Sequence, residues 1–255
     1  MKILITGIAG TIGTILASDL EGDHEVHGLD TRPVARPNTA AVDLRDASAM
    51  ASAFRGKDVV IHLAADRRHE VEIGWDDLMG PNVVATANVF DAARTSGVRR
   101  VIFASSMHVM GGYESDEAYR SIVSGRYGGL DPDDVPLVGG DMPVRPDSRY
   151  AASKAFGEAL GRYYADAESM EVVSVRIGAI TENDRPGVDQ RSWVAWFSQR
   201  DVAGFFRACV ERPGLRHEVL YAASANRWKI YDTPYAWRVL GFQPTDNAED
   251  FRSSG

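Results

Sequence analysis

Apolar residues along the chain fall into two kinds of run. Four are short and nearly continuous, rich in Val and Ile, KILIT (2–6), KDVVIHLAA (57–65), RRVIFASS (99–106) and MEVVSVRIG (170–178), and the more polar HEVHGLD (24–30) reads as a further strand. Between them lie longer stretches in which apolar residues return at helical spacing. These predict helices from about Thr11 to Leu20, over 46–54 with Asp46 as N-cap, over 82–97 closed by Gly97, and over 148–167. Continuous apolar strands separated by helices predict parallel strands covered on both faces. The fold class is therefore α/β, a doubly wound parallel sheet. After Gly178 the pattern becomes irregular, with a helix near 199–211, a strand over 218–224 and a helix near 232–240. We read one domain over 1–255, with 1–178 as its core and 179–255 mainly as a small C-terminal substrate-binding annex. The polar, Gly- and Pro-rich stretch 111–146 is long for a loop in a compact domain, so it is expected to be functional or partly mobile.

Bulk composition narrows the classes. Of 255 residues, 44% are hydrophobic and 25% charged, with a net charge of −8. No basic run is present to neutralise phosphates, so nucleic acid is not expected as a partner. The opening MKILITG lacks the basic and apolar regions of a signal peptide, and no apolar run approaches the roughly 20 residues of a membrane span, so a cytoplasmic protein with no membrane contact is expected. Cys209 is the only cysteine, which excludes an internal disulfide, and in FFRACVER it reads as a packed small hydrophobe. No paired Cys/His spacing suggests a metal.

The chemistry enters with TGIAGTIG. Gly7, Gly10 and Gly13 follow the first strand directly, and Thr11 and Ile12 open the helix. This is the Rossmann arrangement, in which glycines let a pyrophosphate approach backbone N–H groups at a helix N-terminus. Asp30 ends the second strand, 23 residues after Gly7. A carboxylate there accepts from ribose hydroxyls and repels a 2′-phosphate, so NAD is expected, although Arg32 two residues on could hold such a phosphate. Asp43 and Leu44 lie either beside the adenine or on the approach to the helix cap at Asp46. Leu63, Ala64 and Ala65 end the third strand and should line the cofactor crevice, while His62 reads as a packed strand residue. Tyr150 and Lys154 are four apart on one helix face, and Ser106 ends the fourth strand. A neighbouring ammonium and a cationic nicotinamide would favour phenolate, letting Tyr150 take a hydroxyl proton while Ser106 holds the reacting oxygen.

With these pieces the chain resembles the extended short-chain dehydrogenase/reductases, also grouped as the NAD-dependent epimerases/dehydratases. TGIAGTIG, Asp30, HLAA, Asn82, SSMHV, YAASK and RIG carry the resemblance over about 1–178. It implies Ser106, Tyr150 and Lys154 as the catalytic triad, Ile177 and Gly178 beside the nicotinamide, and Asn82, the buried Asn of the fourth helix, as a support counted with the cofactor site. The segments RSWVAWFSQRDVAGFFRACVE, YAASAN and LGFQPTDNAEDFR are similar to uronate dehydrogenases and archaeal NAD-linked glucose-6-phosphate dehydrogenases. That similarity implies oxidation of an aldose at C1 to the lactone, with Arg191 holding the sugar's anionic group. Only 77 residues follow Gly178, which suits a small free sugar better than a nucleotide-sugar.

The uronate pattern also breaks: Met107 replaces an Asn, Arg67 a Ser and Ala179 a Ser. Arg67, Met107 and His108 join Ser106, Tyr150 and Arg191 as candidate sugar contacts, although His108 reads more readily as a support or packing residue behind them. Arg68, Arg120 and Arg126 add positive charge in the same segments. A 6-phosphate or 6-sulfonate, with three oxygens, can use more than one Arg, so the expected substrate is a small anionic sugar: a uronate, or a hexose 6-phosphate or 6-sulfonate such as sulfoquinovose. Trp193 and Trp196 read as core or interface. The rival readings are a sugar epimerase or reductase of the same fold and a non-catalytic dinucleotide sensor. Relatives pair subunits through the helices matching 82–97 and 148–167, which implies a homo-oligomer.

Overall fold

A computed structural model describes residues 1–254. Its centre is a seven-stranded, wholly parallel sheet made of β1 (Lys2–Thr6), β2 (Glu25–Asp30), β3 (Thr39–Ala41), β4 (Val59–His62), β5 (Arg100–Ser106), β6 (Glu171–Ile177) and β7 (His217–Ala222), in the order β3-β2-β1-β4-β5-β6-β7. Alternate residues of each strand face opposite sides. Ile3 and Ile5 pack with Leu16, Phe205 and Phe206 from α1 (Thr11–Leu20) and α8 (Gln199–Glu211). Leu4 and Val60 face the other way, onto Phe54, Val89, Phe90 and Tyr164 from α2 (Ala47–Phe54), α4 (Ala85–Thr95) and α6 (Arg149–Ala167). This is the doubly wound Rossmann architecture that the strand and helix runs predict. The order in which strands are added reverses between β1 and β4, so the loops after these parallel neighbours diverge and leave a crevice at their C-terminal ends.

Several features depart from the sequence reading. β3 is missing from it because three residues are too few to show a period. The helix expected from 82 starts earlier, as α3 (Trp75–Leu78), and passes through a π segment (Met79–Val84) before α4. Pro81, inside that segment, has no N–H to give an α-helical bond. Residues 179–255 contribute more than an annex: β7 extends the sheet and α8 packs against α1. The stretch 111–146 holds part of a 3₁₀ run (Met107–Ser115), α5 (Glu117–Val123) and a short 3₁₀ turn (Pro132–Asp134). Its first part, up to Val123, is packed rather than loose. Met110, Tyr113, Tyr119 and Ile122 share a third cluster with Val194 of α7 (Gln190–Ala195), Tyr221 of β7, Trp228 and Ile230. The chain ends in α9 (Thr233–Leu240) and a 3₁₀ run over Ala248–Ser254.

One buried cation ties the halves together. Arg100, the first residue of β5, is fully buried. Its guanidinium donates to the Cys209, Val210 and Arg212 carbonyls at the C-terminal end of α8, at 2.7–2.9 Å, and its Nε to Glu171 at 2.8 Å. These carbonyls have no partner inside the helix, and a cation there also opposes the negative end of the helix dipole. Cys209 itself is buried and free. No helix among the described residues is long and apolar enough to cross a membrane.

Candidate active site

The crevice between the β1 and β4 loops is an open cleft of about 1000 Å³. Gly7, Gly10, Thr11, Ile12 and Gly13 form its floor. Gly7 has φ +75°, where side chains are strained, and its N–H donates to Leu29 O at 2.8 Å. A Cβ on Gly13 would stand 2.4 Å from Gly7 O, so only glycine lets α1 close on the turn. A backbone cradle that a side chain would fill fits a dinucleotide pyrophosphate.

Asp30 faces the same cleft. Its Oδ2 accepts from Ala9 N and its Oδ1 from Arg32 N, both at 3.0 Å, so the carboxylate is fixed at the strand end. Arg32 Nε is 3.5 Å from Oδ1. Asp43 and Leu44 also line the cleft, and Arg45 grips the Asp43 carboxylate, whose pKa lies below the usual carboxylate range mainly because of that bond. Leu63, Ala64 and Ala65 form the opposite wall, with Ile177 and Gly178 at the inner end. His62 turns away into the protein, bonded to Thr6 Oγ1 at 2.7 Å and Thr86 Oγ1 at 3.1 Å. Burial pushes its pKa down to about 3, so it is a neutral structural group.

Ser106, Tyr150 and Lys154 line one end of this cleft together, from β5 and α6. Lys154 is buried, with Nζ donating to Ala104 O at 2.8 Å and standing 5.8 Å from the Tyr150 ring centre. Burial pushes its pKa down to about 7. Burial also pushes the Tyr150 phenol up to about 12, opposed by the Ser106 hydroxyl and the Arg67 charge. The site therefore holds Tyr150 protonated until a further cation or an alcohol proton donor arrives beside it. The Ser105 hydroxyl donates to Glu158, which pairs with Arg176 at 2.8 and 2.9 Å.

Three assignments need correction or refinement. Asn82, expected among the cofactor contacts, does not line the cleft. Its amide accepts from Asp66 N (2.7 Å) and donates to Asp66 O (2.9 Å) and Ser153 Oγ (3.0 Å), so it splices the β4 loop to α6. Met107, expected as a sugar contact, is 2% exposed and packs in the third cluster, because the chain turns into the 3₁₀ run at that residue. Arg68 is held by Asp66 and gives the pocket no free charge.

Arg67 lines the cleft beside Tyr150. His108 and Arg191 sit beyond Tyr150, outside the lining of that cleft. The His108 ring centre lies 6.2 Å from that of Tyr150 and 4.6 Å from that of His69, and His108 Nε2 is 3.4 Å from Arg191 Nη1. Trp196 is core, and Trp193 lies under the Arg252 guanidinium at 4.5 Å.

Sequence reasoning missed His69, Glu114, Asp147 and Tyr231, which surround His108 and Arg191. They come from four separate segments, none with a spacing motif. Only Asp147, three residues before Tyr150, stood near a recognisable signal.

Comparison with known proteins agrees with this geometry. Residues 3–181 match the NAD dependent epimerase/dehydratase family. The NAD-dependent glucose-6-phosphate dehydrogenase of Haloferax volcanii is 34% identical, over 99% of this chain and 96% of that one. The uronate dehydrogenase of Pseudomonas putida is 32% identical, over 99% of this chain and 87% of that one. The crystal structure of uronate dehydrogenase from Agrobacterium tumefaciens superposes with a TM-score of 0.81 at 32% identity, covering 98% of this chain and 86% of that one. With the Gly-turn cleft and the Ser, Tyr and Lys at its end, these matches show that the chain belongs to the NAD-dependent epimerase/dehydratase family.

Proposed function

We propose that the protein is an NAD-dependent dehydrogenase that oxidises C1 of a small acidic aldose to the lactone. The observation that carries this is the meeting of Ser106, Tyr150 and Lys154 at the end of a dinucleotide-shaped cleft, with the Arg67 cation beside the phenol. Relatives named for uronate and glucose 6-phosphate, each matching nearly the whole chain, support an acidic aldose. NAD, when bound, supplies the hydride acceptor. Ser106 holds the C1 oxygen, Tyr150 takes its proton, and Lys154 orients the ribose and favours the phenolate by its charge. The cradle of Gly7, Gly10, Thr11, Ile12 and Gly13 holds the pyrophosphate and Asp30 the adenosine ribose, with Asp43 and Leu44 at the adenine. Leu63, Ala64, Ala65 and Ile177 complete the wall. Arg67, His108 and Arg191 face the sugar.

A screen of NAD reduction over uronates, hexose 6-phosphates, sulfoquinovose and their neutral parent aldoses tests the reading. Turnover of at least one acidic aldose well above its neutral parent is expected. Indifference to the acid group, or no aldose turnover at all, would overturn it. We further propose a cytoplasmic homo-oligomer. A lone buried thiol suits a reducing compartment. Phe156 and Tyr163, seven apart on one face of α6, are exposed apolar residues of the kind that pair subunits.

A further inference from the structure

Arg191, offered above to the acid group of the sugar, is already engaged. Its Nε donates to both oxygens of Glu114, at 2.9 and 2.6 Å, and Tyr231 donates its hydroxyl to the same carboxylate at 2.6 Å. On the guanidinium's other side, Nη2 lies 3.9 Å from Asp147 Oδ2, and that oxygen is bonded to His108 Nδ1 at 2.6 Å. Nη2 is itself buried and has no hydrogen-bond partner. It is therefore the donor left for an acceptor that arrives with a ligand.

The charges in this corner can be counted. Arg191 lies between two carboxylates, Glu114 at Nε and Asp147 beyond Nη2, and Arg67 is the further cation on the Tyr150 side. Glu114 is 14% exposed, so solvent screens it poorly. A carboxylate or sulfonate brings one negative charge to this balanced cluster and can take the remaining Nη edge of Arg191 together with Arg67. A phosphate monoester above its second pKa of about 6 brings close to two, and the second meets Glu114 and Asp147.

We propose that Glu114 is a specificity-determining residue: by neutralising Arg191, it makes the sugar site accept a singly charged acid group and reject a doubly charged one. The inference rests on the acidic-aldose reading above. It is drawn from the Glu114–Arg191–Tyr231 geometry and narrows that reading to carboxylate or sulfonate.

The test compares wild type, Glu114→Gln and Glu114→Asp at pH 8, reading kcat and KM for glucuronate, sulfoquinovose, glucose 6-phosphate and glucose. Glu114→Gln keeps an acceptor for Arg191 and Tyr231 but removes the charge. Glu114→Asp keeps the charge on a shorter arm. Wild type should favour a monoanion over the 6-phosphate in kcat/KM. Glu114→Gln should narrow that ratio roughly tenfold, chiefly through the KM for the 6-phosphate. Glu114→Asp should leave the ratio near wild type even if the overall rate falls. A ratio unmoved by Glu114→Gln, or moved equally by Glu114→Asp, overturns the proposal alone. So does a wild-type preference for the 6-phosphate. Turnover of glucose but of none of the three acids overturns the acidic-aldose reading, and the proposal with it.

Discussion

Lys154 places an ammonium inside the protein with the Ala104 carbonyl as its bonded partner. Its pKa falls from the ordinary 10.5 to about 7 because burial penalises the charged form. Between those values the unfolded chain holds a proton that the folded one has shed, so raising the pH favours the fold. The cofactor-free protein should gain stability relative to Lys154→Met as pH rises from 6.5 to 9.5, by several degrees of melting temperature. Parallel melting curves for the two proteins across that range would rule this out. Tyr150 is pushed the opposite way, up to about 12, so its proton leaves only with help from neighbouring cations. Tyr150→Phe should lower kcat by roughly 10²–10⁴-fold while NAD still binds, as read by quenching of intrinsic fluorescence. Full turnover in that variant would mean that a group other than Tyr150 takes the proton.

Among the elements, α8 depends most on a residue outside itself. Arg100 satisfies three carbonyls at its C-terminal end and Glu171 besides, with the bonds to Cys209 and Val210 out of solvent. Arg100→Met fills part of the space but leaves those acceptors bare. It should cost about 3–5 kcal/mol, measured by urea denaturation. A loss under about 1 kcal/mol would mean that water replaces the guanidinium.

The sequence made legible those elements whose signal is local. Five strand runs, the Gly7–Gly13 turn and the Tyr150–Lys154 spacing each lie within a few residues, and together they specify the sheet and the cofactor side of the cleft. The sugar side was illegible because Glu114, Asp147, Arg191 and Tyr231 meet only after 107–148 folds over β7 and α7. That segment reads as polar because α5 is seven residues long and 3₁₀ runs carry no 3.6-residue period, so its buried residues look scattered.

At the scale of the molecule, a net charge of −8 surrounds a cleft that Arg67 lines, with Arg191 just beyond Tyr150. The exposed Phe156 and Tyr163 interrupt that polar exterior on α6. Light scattering at micromolar concentration should report an oligomer, and Tyr163→Glu should shift it towards the monomer. A monomeric wild type would remove the oligomer from the proposal.

The strand order β3-β2-β1-β4-β5-β6-β7 is also an order of arrival. β1 is made first and becomes an inner strand. β2 and β3 then add in turn on one flank, and β4 to β7 add one after another on the other. No strand has to be inserted between two that are already paired. As the chain leaves the ribosome, the sheet can grow outward from its first five-residue strand, each newcomer meeting an edge that is already formed. The glycine turn and Leu63, Ala64 and Ala65 facing it are in place just after β4, before α6 and α7, which carry Tyr150 and Arg191, have been synthesised.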